Sequence, residues 1–153
     1  YINVETFDIT GGSGSDTLEG AAGNDRLVGG QGNDRLVGRA GVDIVSGGAG
    51  TDTWSVDYSG LLNANVNLVN QTTNTGAVIS GIEAIQYTGG AGNDVVTANA
   101  GIYNDSFFGG GGKDTFISGR GVDSVNGDVG TDKLVMDWSG IADPLHGISN
   151  SSV

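Results

Sequence analysis

Apolar side chains recur along this chain with a period of nine, inside a frame of glycine and aspartate. The clearest unit is Gly29-Gly30-Gln31-Gly32-Asn33-Asp34-Arg35-Leu36-Val37. Five units start at Gly11, Gly20, Gly29, Gly38 and Gly47, and five more at Gly89, Ala100, Gly109, Ser118 and Gly127. Position eight is apolar in all ten: Leu18, Leu27, Leu36, Val45, Trp54, Val96, Phe107, Phe116, Val125 and Leu134. Position seven is polar at Thr17, Arg26, Arg35, Ser106, Thr115, Ser124 and Lys133, while Ile44 and Val95 fit an outward side less well. This alternation reads as a short strand with position eight inward and positions seven and nine outward. Positions one to six, Gly-Gly-x-Gly-x-Asp, read as the turn, where glycine permits positive φ and lets backbone carbonyls face inward. The predicted architecture is a repeat stack, in which each short strand needs only its neighbours.

A longer period is superimposed. Val4 to Gly12 matches Ile82 to Gly90, and Asp52 to Leu61 matches Asp132 to Ile141, with two extra residues near Ala98 and Asn99 in the second unit. The chain therefore divides into an opening strand (1–10), a first block (11–60), connecting strands (61–88), a second block (89–141) and an unpatterned tail or linker (142–153). Within the connection, Asn65 to Val69 reads as strand, Asn70 to Gly76 as a turn, and Ala77 to Ile79 and Ile82 to Tyr87 as further strand. Its apolar side is expected to cover an otherwise exposed strand edge. Because Tyr1 to Phe7 already reads as strand, the chain is expected to be cut from a longer protein with neighbouring domains.

The chemistry lies at position six, which is Asp in all ten units: Asp16, Asp25, Asp34, Asp43, Asp52, Asp94, Asp105, Asp114, Asp123 and Asp132. They account for more than half of the acidic side chains in a chain of net charge -12. That balance argues against nucleic acid, which needs clustered Lys and Arg, and against an anionic membrane surface. No segment is long and apolar enough to read as a membrane span. Stacked aspartates repel one another unless a counter-ion lies between them. If two nonapeptides make one 18-residue coil, alternate turns sit one strand spacing apart, about 4.8 Å. An ion in that gap takes a carboxylate from each turn and the carbonyls facing it, which suits calcium better than magnesium. Zinc prefers Cys or His, which the repeats lack. The pairs are Asp16 with Asp34, Asp25 with Asp43, Asp34 with Asp52, Asp94 with Asp114, Asp105 with Asp123, and Asp114 with Asp132, giving roughly six ions. The carbonyl ligands are assigned to Gly12, Gly14, Gly23, Gly30, Gly32, Gly41, Gly48, Gly50, Gly90, Gly92, Gly110, Gly112, Gly119, Gly121 and Gly130. Arg39 and Asp128 at position two, and Ala100 and Tyr103 in the most degenerate unit, depart from the pattern. The apo chain is expected to be largely unfolded and the calcium-loaded chain folded. There is no Cys, so calcium takes the stabilising place of disulfides. Millimolar calcium outside cells matches modules that bind at about 10⁻⁴ to 10⁻³ M, which points to an extracellular location.

With these ten tandem units the chain resembles the RTX family, secreted bacterial proteins built on Gly-Gly-x-Gly-x-Asp-x-U-x. The resemblance implies an all-β, right-handed parallel β-roll with ions in rows along both edges. It also implies export by type I secretion machinery and folding triggered by external calcium.

Other chemistry is thin. His146 is the only histidine, lies in the unpatterned tail, and has no nucleophile elbow near it. Asp143-Pro144 lacks the acidic calcium loop that self-processing modules carry after that pair. Asp57 and Asp137 read as strand-end residues. Gly109 to Asp114 lacks the spacing of a phosphate loop. Trp54 and Phe107 read as core, and Tyr58 and Trp138 as caps of each roll. The sequence therefore reads as a non-enzymatic calcium-binding scaffold of a secreted protein. The alternatives are a glycan-binding module of an adhesin that uses exposed aromatics of the 54–88 region, or an accessory domain of a secreted RTX enzyme or toxin.

Overall fold

The computed structural model describes residues 4–136 and 149–150. The expectations for Asp137, Trp138, Asp143, Pro144 and His146 lie outside the described residues. All regular structure among the described residues is strand. In chain order the strands are β1 (Asp8–Thr10), β2 (Thr17–Glu19), β3 (Arg26–Gln31), β4 (Arg35–Arg39), β5 (Ile44–Ala49), β6 (Thr53–Asp57), β7 (Asn65–Asn67), β8 (Thr72–Thr73) and β9 (Val78–Ser80). Then follow β10 (Ala84–Thr88), β11 (Val95–Thr97), β12 (Ser106–Phe108), β13 (Gly111–Gly112), β14 (Thr115–Ser118), β15 (Ser124–Asn126), β16 (Val129–Gly130), β17 (Lys133–Met136) and β18 (Ser149–Asn150).

Within a block each strand pairs in parallel with the strand two repeats on. Leu18 lies opposite Leu36, Leu36 opposite Trp54, and Leu27 opposite Val45. Two nonapeptides therefore make one coil, and the chain winds as a parallel β-roll of about seven turns with two sheet faces. The position-eight side chains meet between the faces, buried from Leu18 through Phe116. Burying a side chain of this size contributes about 1.5–3 kcal/mol, which the short strands need. Val125 is half-buried and Leu134 exposed. Position seven points outward throughout, including Ile44, which is 47% exposed. Its apolar character is a surface substitution, not a change of register.

The join between blocks departs from the repeat. One sheet, β2-β4-β6-β10-β12-β15-β18, runs through both blocks, and β6 pairs with β10 across it. The opposite face is split into β1-β3-β5-β9 and β8-β7-β11-β14-β17. After β6 the chain runs ahead to β7, which pairs with β11 of the second block. It then turns back through the antiparallel β8 to β9, which pairs with β5 of the first. The connecting segment thus covers one edge of each block, and edge pairing removes exposed strand donors and acceptors.

The join also slips the repeat register by two residues. Trp54 lies opposite Ile85 and Val56 opposite Tyr87, yet Tyr87 lies opposite Phe107. An even slip leaves every inward side chain inward, whereas an odd one would turn them all out. Trp54, Tyr58 and Tyr87 fill the resulting space edge to face, with successive ring centroids 6.2 Å apart. The Tyr58 and Thr75 hydroxyls are 2.8 Å apart. Tyr58 is 4% exposed and Tyr87 2%. These aromatics are core residues and offer no face to a sugar, which removes the basis on which glycan binding in the 54–88 region rests.

Candidate metal centre

The six-residue turns form two edges of the roll. Turns ending in Asp16, Asp34, Asp52, Asp105 and Asp123 lead into the continuous sheet, and those ending in Asp25, Asp43, Asp94, Asp114 and Asp132 into the divided face. Every expected pair is adjacent, through one repeated bond: the backbone N–H of the earlier aspartate donates to Oδ1 of the later one. The distances are 2.8 Å for Asp16 to Asp34, 3.0 Å for Asp25 to Asp43, and 2.8 Å for Asp34 to Asp52. They are 2.9 Å for Asp94 to Asp114, 3.0 Å for Asp105 to Asp123, and 2.9 Å for Asp114 to Asp132. The insertion at Ala98 and Asn99 does not disturb the Asp94 pair, because Asn99 turns aside and donates to the carbonyls of Ile82 and Glu83.

The second carboxylate oxygen has a different fate. Oδ2 folds back over the glycine at position one of its own turn, so a Cβ at Gly20, Gly29, Gly38, Gly47, Gly89, Gly109 or Gly127 would collide with it. In Asp34, Asp52, Asp105 and Asp114 this oxygen is buried and has no hydrogen-bond partner. A buried charged oxygen without a partner costs several kcal/mol, so such a row implies a cation or protons. Among the described residues the ion pairs are Arg26 with Asp8 and Arg39 with Glu19, both on the surface. No lysine or arginine therefore neutralises these aspartates.

The carbonyls complete the oxygen lining. At positions two and four each glycine lies against the carbonyl two repeats earlier: Gly30 on Gly12, Gly48 on Gly30, Gly32 on Gly14, Gly50 on Gly32, and Gly41 on Gly23. The second block repeats this with Gly110 on Gly90, Gly112 on Gly92 and Gly130 on Gly112. The carbonyls of Gly12, Gly90 and Gly110 also accept N–H bonds from Gln31, Gly111 and Val129, leaving one lone pair each. The irregular units keep the frame. Arg39 and Asp128 adopt positive φ (66° and 63°), and Tyr103 presents its carbonyl to Gly121. Among the described residues no three His, Cys, Asp or Glu side chains converge, so an ion in these turns would draw heavily on backbone oxygen.

Two elements were not anticipated. Asparagines at position five run a second ladder in the opposite direction: Oδ1 of Asn24, Asn33, Asn93 and Asn104 accepts the N–H of Val42, Thr51, Lys113 and Val122. The recurrence of Asn immediately before Asp was the available signal. The other is Glu83, outside any nonapeptide, whose Oε2 accepts the Asp52 N–H at 2.9 Å. The earlier match of Glu5 with Glu83 marked it as a recurrent position. Asp57, by contrast, bonds only locally to the Ser59 N–H.

The family model for the RTX calcium-binding nonapeptide repeat matches in four copies, at residues 8–36, 19–53, 87–101 and 99–134. These cover more than half of the chain. The chain belongs to the RTX calcium-binding nonapeptide repeat family. No curated protein matches it. RTX membership and the orphaned Oδ2 atoms point to the same ion class, since calcium takes six to eight oxygens, carboxylate and carbonyl together.

Without metal the same burial affects protons. Desolvation pushes the Asp43 carboxyl up to about 6 and that of Asp105 up to about 7, only partly offset by the N–H bonds they accept from Asp25 and Ile85. Asp52 and Asp114 are also raised, first by burial. The metal-free fold then holds protons that the unfolded chain, titrating near 3.8, releases. Its stability is greatest at low pH and is lost as pH rises through about 6 to 7. In chelator, β content should therefore rise as pH falls from 8 to 5, and the further β signal gained on adding calcium should shrink, because the protonated fold already forms without the ion. Circular dichroism at several pH values, with and without calcium, checks both; a calcium-induced gain independent of pH would contradict the second.

Proposed function

We propose that the chain is a calcium-folded structural module of a secreted protein, without catalytic activity of its own. The observation that carries this reading is the row of buried, unpartnered carboxylate oxygens at Asp34, Asp52, Asp105 and Asp114. Those of Asp34, Asp52 and Asp114 fold over a glycine whose place no side chain could take, in a chain of net charge -12. The ten position-six aspartates and the position-two and position-four carbonyls are the ligands, shared among roughly six ions between alternate turns. Where calcium is scarce, as inside a cell, repulsion keeps the chain extended and competent for type I export. At extracellular calcium the turns close and the strands stack. The two blocks with their connection then serve as a rigid spacer that presents neighbouring domains of a longer chain. No helix of the described residues is long and apolar enough to cross a membrane.

Far-UV circular dichroism during a calcium titration after chelation tests this, with magnesium as control. A cooperative gain of β signal near millimolar calcium, absent with magnesium, is expected. A β spectrum that chelation leaves unchanged would mean that the turns hold without metal, and the folding role would fall.

A further inference from the structure

The join carries the least expected feature of the roll, a three-residue turn that reproduces the oxygen pattern of a six-residue one. Gly81, at φ 58°, presents its carbonyl to Gly47 as Gly47 does to Gly29 and Gly29 to Gly11. Two residues later Glu83 accepts the Asp52 N–H at 2.9 Å, as Asp52 accepts that of Asp34 at 2.8 Å. The extra methylene of Glu supplies the reach that the shorter turn lacks. Gly81-Ile82-Glu83 thus stands on Asp52 as a full repeat would.

We propose that Asp52, Glu83 and the Gly81 carbonyl form a divalent-cation site at the join, outside the nonapeptide pairs, which couples the two blocks. The proposal rests on the calcium reading above and adds a site to it. Asp52 is fully buried and its Oδ2 has no partner. That oxygen and the Gly81 carbonyl converge on the same point above Gly47, where a Cβ would strike both. No lysine or arginine among the described residues pairs with either carboxylate. Hard, all-oxygen ligation of this kind selects calcium.

The turn is held by the second block and by the connection as well as by Asp52 of the first block. Asn99 of the second block donates to the Ile82 carbonyl at 2.7 Å, and Gln71 of the connection donates to it at 3.1 Å. On this edge Asp16, Asp34, Asp52 and Glu83 follow one another through the same bond, and Asp105 accepts the N–H of Ile85, two residues beyond Glu83. On the other edge the row breaks after Asp43, whose carbonyl accepts the Val78 N–H and whose next coil brings no acid. An ion at Glu83 therefore ties the last turn of the first block to the segment that enters β10, the strand that pairs with β12 of the second block.

Glu83→Gln tests this, because the amide oxygen still accepts the Asp52 N–H while the charge is removed. Calcium stoichiometry by equilibrium dialysis is expected to fall by one ion per chain, and the single calcium-folding transition is expected to split into two. Unchanged stoichiometry overturns the proposal, even if the variant is less stable. Should the variant not fold, terbium anomalous scattering from crystals of the unaltered protein decides. A peak between Asp52 and Glu83 supports the site. Peaks between Asp16 and Asp34 and between Asp34 and Asp52, with none at Glu83, overturn it. No peak at any turn would instead overturn the calcium reading itself.

Discussion

Asp34→Asn is expected to raise the calcium concentration at half-folding by about tenfold or more, the equivalent of about 1.4 kcal/mol. Asp34 stands in the middle of its edge row and belongs to two pairs. Its Oδ1 accepts the Asp16 N–H and its own N–H donates to Asp52, both at 2.8 Å. Asn retains an oxygen for the first bond, so the backbone ladder is kept. The amide places N–H donors where the unpartnered Oδ2 was and removes one charge from each of two sites. Calcium affinity follows ligand charge count, so both sites weaken together. Asp132→Asn is the control, because Asp132 is exposed and belongs to a single pair, and a smaller shift is expected. The calcium midpoint by circular dichroism separates them. Equal shifts in the two variants would show that the aspartates act through overall charge and not through local sites.

Gly50→Ala should abolish folding at calcium concentrations that fold the unaltered chain. Gly50 has φ 140°, a conformation that costs a side-chain-bearing residue about 1–3 kcal/mol. Its new Cβ would also strike the Gly32 carbonyl. That obstacle is backbone, held in register by β3 and β5, and has no rotamer to escape into. Moving it opens the gap between turns and withdraws a proposed ligand. Against a typical net stability of about 5–15 kcal/mol, strain plus a lost ion leaves little. Gly12→Ala provides the contrast, since a Cβ there meets nothing within 4 Å and its φ is not positive. It should fold with a calcium midpoint close to that of the unaltered protein. The motif treats Gly12 as equivalent to Gly30 and Gly48, but among the described residues no carbonyl lies against it. If Gly12→Ala and Gly50→Ala were equally damaging, backbone flexibility would explain the glycines better than close approach.

The regular part of the roll was legible because each coil meets only its neighbours. A nine-residue period with an inward position eight leaves one parallel register, and that register alone sets Asp16 beside Asp34 and Asp25 beside Asp43. Asn24 and Asn33 were visible in the same frame, but nothing in their spacing said that they brace the turns. Ile44 and Val95 looked misplaced because outward positions were assumed polar, whereas a single exposed apolar side chain on a sheet carries little penalty.

By itself, then, the sequence determined the coil length, the inward row, the two edges and the oxygen chemistry of the turns, all of which follow from local periodicity. Only the tertiary structure decided the join. There the β6 to β10 pairing spans 31 residues, from Thr53 to Ala84, in place of the usual 18, and no period announces which residues meet. The choice was made by packing: Trp54, Tyr58 and Tyr87 had to share one interior, and the two-residue slip lets them do so with every strand still facing correctly. Glu83 reached its place beside Asp52 by the same route. A carboxylate outside the repeat acquires its role from the strand that delivers it, and that strand's register is a property of the folded whole.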